Sequence, residues 1–136
     1  MGKKINKKAI NFFLLIVIFQ ALHSTEEYLG ALWESFPPAA YLCGLISSNL
    51  ETGFLVINIG LFVVGILVWF FVVKAKKTYA WTLIWIWIVI EIVNGIGHPA
   101  WSVIQQRYTP GVITAPFLLL IAILLIWTYR LSEEEK

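Results

Sequence analysis

Two short polar clusters interrupt segments that are otherwise almost wholly apolar: His23-x-x-Glu26-Glu27 near the end of the first hydrophobic stretch, and Glu91-x-x-Asn94-x-x-x-His98 near the end of the third. Ionisable groups at membrane depth cost several kcal/mol unless they serve one another or a ligand, so they mark a functional site by default. If the two clusters meet, they form one site.

The surrounding composition sets the class. A chain of 136 residues that is 60% hydrophobic and 13% charged, with mean hydropathy +0.82, has too few charged residues to cover a soluble core of that kind. It reads as an integral membrane protein. A span needs about 20 apolar residues, and four runs qualify, near residues 10–33, 53–73, 79–99 and 111–129. The expected fold is all-α: one four-helix transmembrane bundle, a single domain over residues 1–136, with no internal repeat. Glu133, Glu134 and Glu135 read as a solvated tail.

Basic residues near span ends are retained on the cytoplasmic side. Lys3, Lys4, Lys7 and Lys8 precede the first span, Lys74, Lys76 and Lys77 separate the second and third, and Arg130 and Lys136 follow the fourth. Only Arg107 falls on the other side, with Glu34 and Glu51. Both termini are therefore expected in the cytoplasm, in a plasma membrane of bacterial type. A net charge of +2 gives no reason to expect nucleic acid as a partner. Lys3 to Gln20 also has the basic leader and apolar core of a secretory signal peptide. No good small-x-small cleavage site follows, so the first span is expected to stay in the chain. The lone Cys43 has no partner for an intrachain disulfide and no companions for a redox or zinc motif.

Depth arithmetic brings the clusters together. With a rise of about 1.5 Å per residue from Ala9, His23 lies about 21 Å and Glu27 about 27 Å into a core of roughly 30 Å. From Trp81 the same rise puts Glu91 at about 15 Å, Asn94 at about 20 Å and His98 at about 26 Å. Asn58 on the second span and Thr114 on the fourth fall in the same outer layer. At about 100° per residue, Glu91, Asn94 and His98 share an arc of roughly 60°, and His23, Glu26 and Glu27 one of roughly 100°. Gly95 and Gly97 would let a helix or ligand approach that backbone. Pro99 biases His98 away from helical geometry, so the third span is expected to loosen or end at the site. Between the first two spans, Pro37-Pro38 and the apolar run after it predict an interfacial or re-entrant helix, a lid over the polar layer or a plain surface linker. Tyr108-Thr109-Pro110-Gly111 has turn chemistry, and its Tyr hydroxyl is placed to reach the cluster.

These residues carry a resemblance. The chain resembles the HXXEE-domain proteins, small multi-spanning membrane proteins named for the first cluster, which also share an Asn-x-x-x-His and a Tyr-x-Pro-Gly element. Both stand here, as Asn94-Gly95-Ile96-Gly97-His98 and Tyr108-Thr109-Pro110-Gly111. The resemblance implies that His23, Glu26, Glu27, Asn94, His98, Tyr108, Pro110 and Gly111 belong to a shared site. It implies no reaction.

The chemistry follows from the groups. Two imidazoles and up to three carboxylates in a low-dielectric layer form a first shell for a divalent metal such as zinc, iron or manganese, with His23, Glu27, Glu91 and His98 as candidate ligands. A cation would also explain how the glutamates approach one another while ionised. The spacing matches neither His-Glu-x-x-His nor the Glu-x-x-His of di-iron bundles. Metal-bound water, with Glu26 or Glu27 as general base, would hydrolyse an ester or amide in a lipid-like substrate. On that reading His23, Glu26, Glu27, Glu91, Asn94, His98 and Tyr108 are the candidate catalytic residues.

Three other readings stay open. A metal-free His/Glu/Asn site could move protons on an apolar molecule, similar in residue types to sterol isomerases of the emopamil-binding-protein kind, with Trp81, Trp85, Trp87 and Trp101 as walls, although for any single Trp an aromatic belt with lipid-facing packing is the readier account. A small proton- or cation-coupled carrier would use the same carboxylates, although the polar groups crowd toward one face. Finally, the polar residues could serve only as interhelical glue. The implied partners are membrane lipids and an apolar small molecule, and self-association is compatible with each reading.

Overall fold

The inward faces of the long helices are written as heptad-like stripes, and the structure, a computed structural model describing residues 4–134, is built on them. Lys3, Glu135 and Lys136, and the side chains of Glu133 and Glu134, lie outside that description. The described residues form six helices and no strand: α1 (Lys7–Leu29), α2 (Leu32–Ser35), α3 (Pro37–Ile46), α4 (Leu50–Val68), α5 (Ala80–Gln105) and α6 (Ala115–Glu134). A π-helical turn, Trp69–Val73, continues α4.

Helix starts follow local chemistry. Asn6 caps α1 by accepting from the Ala9 amide at 2.8 Å, and Asn49 caps α4 by accepting from Thr52 at 2.9 Å. Pro37 and Pro38 open α3, where the missing N–H groups cost nothing. On α1 the buried positions Ala9, Phe13, Ile16, Gln20, His23 and Glu27 recur every three or four residues. On α5, Trp81, Ile84, Ile88, Glu91, Gly95 and His98 do the same.

Three helices are long and apolar enough to cross a membrane: α1, α4 with its π turn, and α5. The fourth expected span corresponds to α6, whose apolar part, Ala115–Leu131, is shorter. Packing is uneven around the bundle. Helix α6 lies along both α5 and α1, and α1 along α4, while α4 meets α5 mainly at the π turn. Gly65 sits where α4 touches both neighbours: a Cβ there would be 2.8 Å from Val17 and 2.9 Å from Trp87. Beyond Gly65 a gap opens between α4 and α5, and α3, folded back along α4, lies over its end.

One expectation about α5 is overturned. The helix neither ends nor loosens at His98 but runs through Pro99 to Gln105. The proline costs one backbone hydrogen bond, and the turn beyond it is anchored elsewhere. Ser102 Oγ lies 2.6 Å from Thr109 Oγ1 and accepts from the Thr109 amide at 3.1 Å, and Trp101 packs edge-on against Phe36. At the other end, Trp69 Nε1 donates to the Ile10 carbonyl at 3.2 Å, tying the π turn to the start of α1. Lys4, Lys7, Lys8, Lys74, Lys76 and Lys77 consequently gather at one end of the molecule, and the polar clusters lie toward the other.

Candidate metal centre

His23 and Glu27 are one turn apart on α1 and aim at His98 from α5. Glu27 Oε1 lies 3.3 Å from His23 Nε2 and 3.0 Å from His98 Nε2. The imidazole rings are 4.7 Å apart and nearly perpendicular, so their Nε2 atoms converge on the carboxylate. All three residues are buried, and one ligand atom from each lies within 4.8 Å of the others. Among the described residues this is the group of His, Cys, Asp and Glu side chains placed to hold a metal.

The outer nitrogens of both rings are already engaged. His98 Nδ1 is 2.8 Å from the Pro110 carbonyl, which can only accept, so Nδ1 carries a proton. His23 Nδ1 is 2.7 Å from Thr114 Oγ1, whose single proton goes to Glu26 Oε2 at 2.5 Å, so this nitrogen also donates. In the neutral rings both Nε2 lone pairs therefore face Glu27 Oε1. His23 Nε2 is fully buried and has no hydrogen-bond partner. Lone pairs opposed to a carboxylate repel unless a proton on an Nε2 or a metal cation lies between them, and either makes this a charge-paired site. Imidazoles held through Nδ1 by a carbonyl or a relayed carboxylate are how metal-ligating histidines are oriented. Donor atoms about 2.0–2.1 Å from a tetrahedral zinc stand roughly 3.3–3.4 Å from one another; the two His–Glu separations, 3.3 and 3.0 Å, are of that order, while the set as a whole spans up to 4.8 Å, so the two imidazoles would draw together on an ion.

The Tyr108–Gly111 turn completes the site. Gly111 has φ +92°, and a Cβ on it would sit 2.6 Å from His98 Nδ1 and 2.8 Å from His23 Cε1. Only glycine fits between the two rings. Glu26 points away from Glu27 and collects four donors: Tyr108 Oη at 2.8 Å, the Ile113 and Thr114 amides at 3.1 and 2.9 Å, and the Thr114 hydroxyl. That carboxylate is saturated, which leaves it no lone pair for proton abstraction and makes it the anchor holding the turn against α1. Tyr108 lies outside the long helices. Desolvation, followed by its bond to Glu26, pushes its hydroxyl up to about 12, so it stays a donor at any physiological pH.

Glu91 falls outside the triad. It is fully buried and belongs to a second set of polar groups nearer the middle of the bundle. Asn94 Nδ2 donates to Glu91 Oε2 at 3.3 Å. With the Gln20 amide turned so that its NH2 faces the carboxylate, Gln20 donates to Oε2 at 2.7 Å and Oε1 at 3.0 Å. Ser24 Oγ, 2.6 Å from Asn58 Oδ1 and 3.2 Å from the Gln20 amide, lies between the two and extends this set to α4. Asn58 and Thr114 thus both join the polar groups, Asn58 at the amide set and Thr114 at the triad.

A cavity of about 270 Å3 adjoins the triad. Glu27, His98, Asn94, Gln20 and Asn58 are its polar lining, and Phe36, Leu42, Cys43, Ile57, Leu61 and Ile90 are among its apolar walls. The Glu27 and His98 side chains keep 9% and 8% exposure and His23 none, so the triad is reached through Glu27 and His98. The tryptophans mostly do other work. Trp81 and Trp85 stack edge-on against Tyr129, and Trp87 against Phe13. Trp101 lines a smaller recess of about 90 Å3 with Phe36, Asn94, Gly97 and His98. Gly95 serves helix packing, since a Cβ there would lie 2.6 Å from that of Leu119.

Gln20 and Ser24 were not singled out from the sequence, yet both take part. Their signal is spacing: Gln20, Ser24 and Glu27 stand at i, i+4 and i+7, on the face of α1 that carries His23.

A family model described as "Protein of unknown function with HXXEE motif" matches residues 14–126. The match takes in all three motifs and therefore every residue of the triad and its anchoring turn. No curated protein matches the chain, and no solved structure does.

Proposed function

The chain belongs to the HXXEE family of proteins of unknown function, and we propose that it is an intramembrane metalloenzyme. His23 Nε2, His98 Nε2 and the Glu27 carboxylate hold a divalent ion of the zinc, iron or manganese kind, and the fourth position opens on the 270 Å3 cavity. The observation that carries this reading is the pair of Nδ1 donors, which turns both Nε2 lone pairs onto one carboxylate oxygen. Two His and one Glu with an open position is a ligand set of catalytic zinc sites.

Such an ion lowers the pKa of bound water to about 7 and supplies a nucleophile without a separate base. This removes the need for Glu26, whose lone pairs are taken. The reaction class is hydrolysis of an ester or amide. Water oxygen bonds to the carbonyl carbon, the C–O or C–N bond breaks, and the water proton leaves with the alcohol or amine. Asn94, on the cavity wall, has one amide hydrogen beyond the one it gives Glu91 and is placed to hydrogen-bond the substrate carbonyl group. In this reading α6 completes a four-span bundle with both termini on the cytoplasmic side, where the lysines gather, and the site opens in the outer half of the bilayer.

Metal analysis of the purified protein tests the proposal. Wild type is expected to carry one divalent ion per chain, and His23→Ala and His98→Ala none. Folded wild type that takes up no zinc, iron or manganese, or a His98→Ala variant that binds as well as wild type, would overturn it.

A further inference from the structure

The gap between α4 and α5 deepens that reading and names the substrate's shape. Its floor is the contact of Gly65 with Val17 and Trp87. Beneath the floor, Phe13, Ile16, Ile84, Ile88, Leu118 and Leu125 are completely buried, which shuts the cavity off from the lysine end. At the other end α2 and α3 cover it: Leu32 and Cys43 are buried with Phe54, and Tyr28, Trp33 and Phe36 pack around them. The remaining side is the strip between Ile57 and Leu61 on α4 and Ile90 and Asn94 on α5, where the two helices scarcely meet. In a bilayer crossed by α4 and α5 that strip would face the acyl chains.

We infer that the cavity takes a single-chain amphiphile, a fatty amide or ester, which slides in sideways between α4 and α5 and lays its chain against Ile57, Leu61 and Ile90 with its head at Glu27, His98 and Asn94. Leu61 and Ile90 lie about a turn nearer mid-membrane than Asn58 and Asn94, and Glu27 and His98 lie further out beneath the apolar lid residues Phe36, Leu42 and Cys43. Size selects one chain. At about 270 Å3, near the lower edge of the roughly 300–1,000 Å3 usual for small-molecule sites, the cavity has room for a head and the upper part of one chain. The inference rests on the metal reading only for where the scissile bond lies, since the slot itself is defined by helix packing.

Photolabelling tests it. A palmitoyl amide carrying a diazirine midway along its chain is irradiated with the full-length protein in lipid nanodiscs, and adducts are mapped by mass spectrometry. Metal content is measured on the same preparations. Adducts are expected on Ile57, Leu61 and Ile90, competed away by unlabelled palmitoyl amide. Labelling at these positions should be lost in Leu61→Trp and in Ile90→Trp, which fill the slot, and retained in Val63→Trp, on the exposed face of α4. A two-chain phospholipid with the same diazirine should mark the exposed face instead. Adducts confined to that face, persistence in both filled variants, or equal slot labelling by the phospholipid would overturn the inference. Slot labelling in protein that binds no metal would leave the slot standing and remove the metal reading.

Discussion

The two halves of this bundle use the same inward positions for opposite purposes. Toward the lysine end, α1 offers Phe13, Ile16 and Val17 and α5 offers Ile84, Trp87 and Ile88, all at most 5% exposed. One to three turns further along, the same stripes carry Gln20, His23 and Glu27 against Glu91 and His98, all at most 7% exposed. The lower half is held by shape: Phe13 packs edge-on against Trp87, and only Gly65 lets α4 close against both helices. The upper half is held by direction, because each polar atom needs a partner at the right angle. Helix periodicity decides what is buried; the chemistry at each buried position decides whether the result is a core or a site.

Four substitutions break or sharpen that contrast, from the largest expected effect down. Ile88→Glu places in the dry half the group that the polar half accommodates three residues later. Without counterparts of Gln20 and Asn94 it should cost about 3–5 kcal/mol, read as loss of folded protein in detergent, and a stable variant would mean that the lower core is wet. Phe13→Ala should cost about 3–5 kcal/mol through lost burial and a cavity, measured by thermal denaturation, with metal content per folded chain unchanged.

Gly111→Ala reverses that pattern. Its stability cost is about 1–2 kcal/mol for the left-handed backbone, but the added Cβ falls between the two imidazoles, so metal binding should be abolished while most of the protein stays folded. Tyr108→Phe removes one of four donors to Glu26 and should cost about 0.5–1.5 kcal/mol, with weakened rather than lost metal binding. The Tyr108 pKa is raised on folding, so the contribution of its bond to Glu26 is fully present below the ordinary tyrosine value of 10.0 and is lost as pH rises through about 12. An alkaline stability scan of wild type against Tyr108→Phe should converge over that window.

Much of this was legible in the sequence, for identifiable reasons. The apolar stripes, the convergence of His23 with His98 and the helix after Pro37-Pro38 follow from a fixed rise and rotation per residue, which side-chain detail does not alter. What escaped depends on direction at short range. Glu26 and Glu27 are adjacent and look equivalent, yet a rotation of about 100° sends one to the Tyr108 turn and the other to the histidines. Glu91 counts as a candidate ligand by depth, but Gln20 and Asn94 draw its carboxylate into a separate set. Pro99 predicts a helix end, and it is overridden by contacts of Ser102 with Thr109, seven residues away in the chain. The tryptophans look like pocket walls by composition, and only Trp101 lies beside the site.

X-ray absorption at the zinc edge of the zinc-loaded protein, in wild type and Glu27→Gln, addresses the converging lone pairs most directly. The geometry found here predicts two imidazole nitrogens at about 2.0–2.1 Å with one carboxylate oxygen at about 2.0–2.2 Å, and a distorted or emptied site in Glu27→Gln. A spectrum with one imidazole or none, or one that Glu27→Gln leaves unchanged, would contradict it.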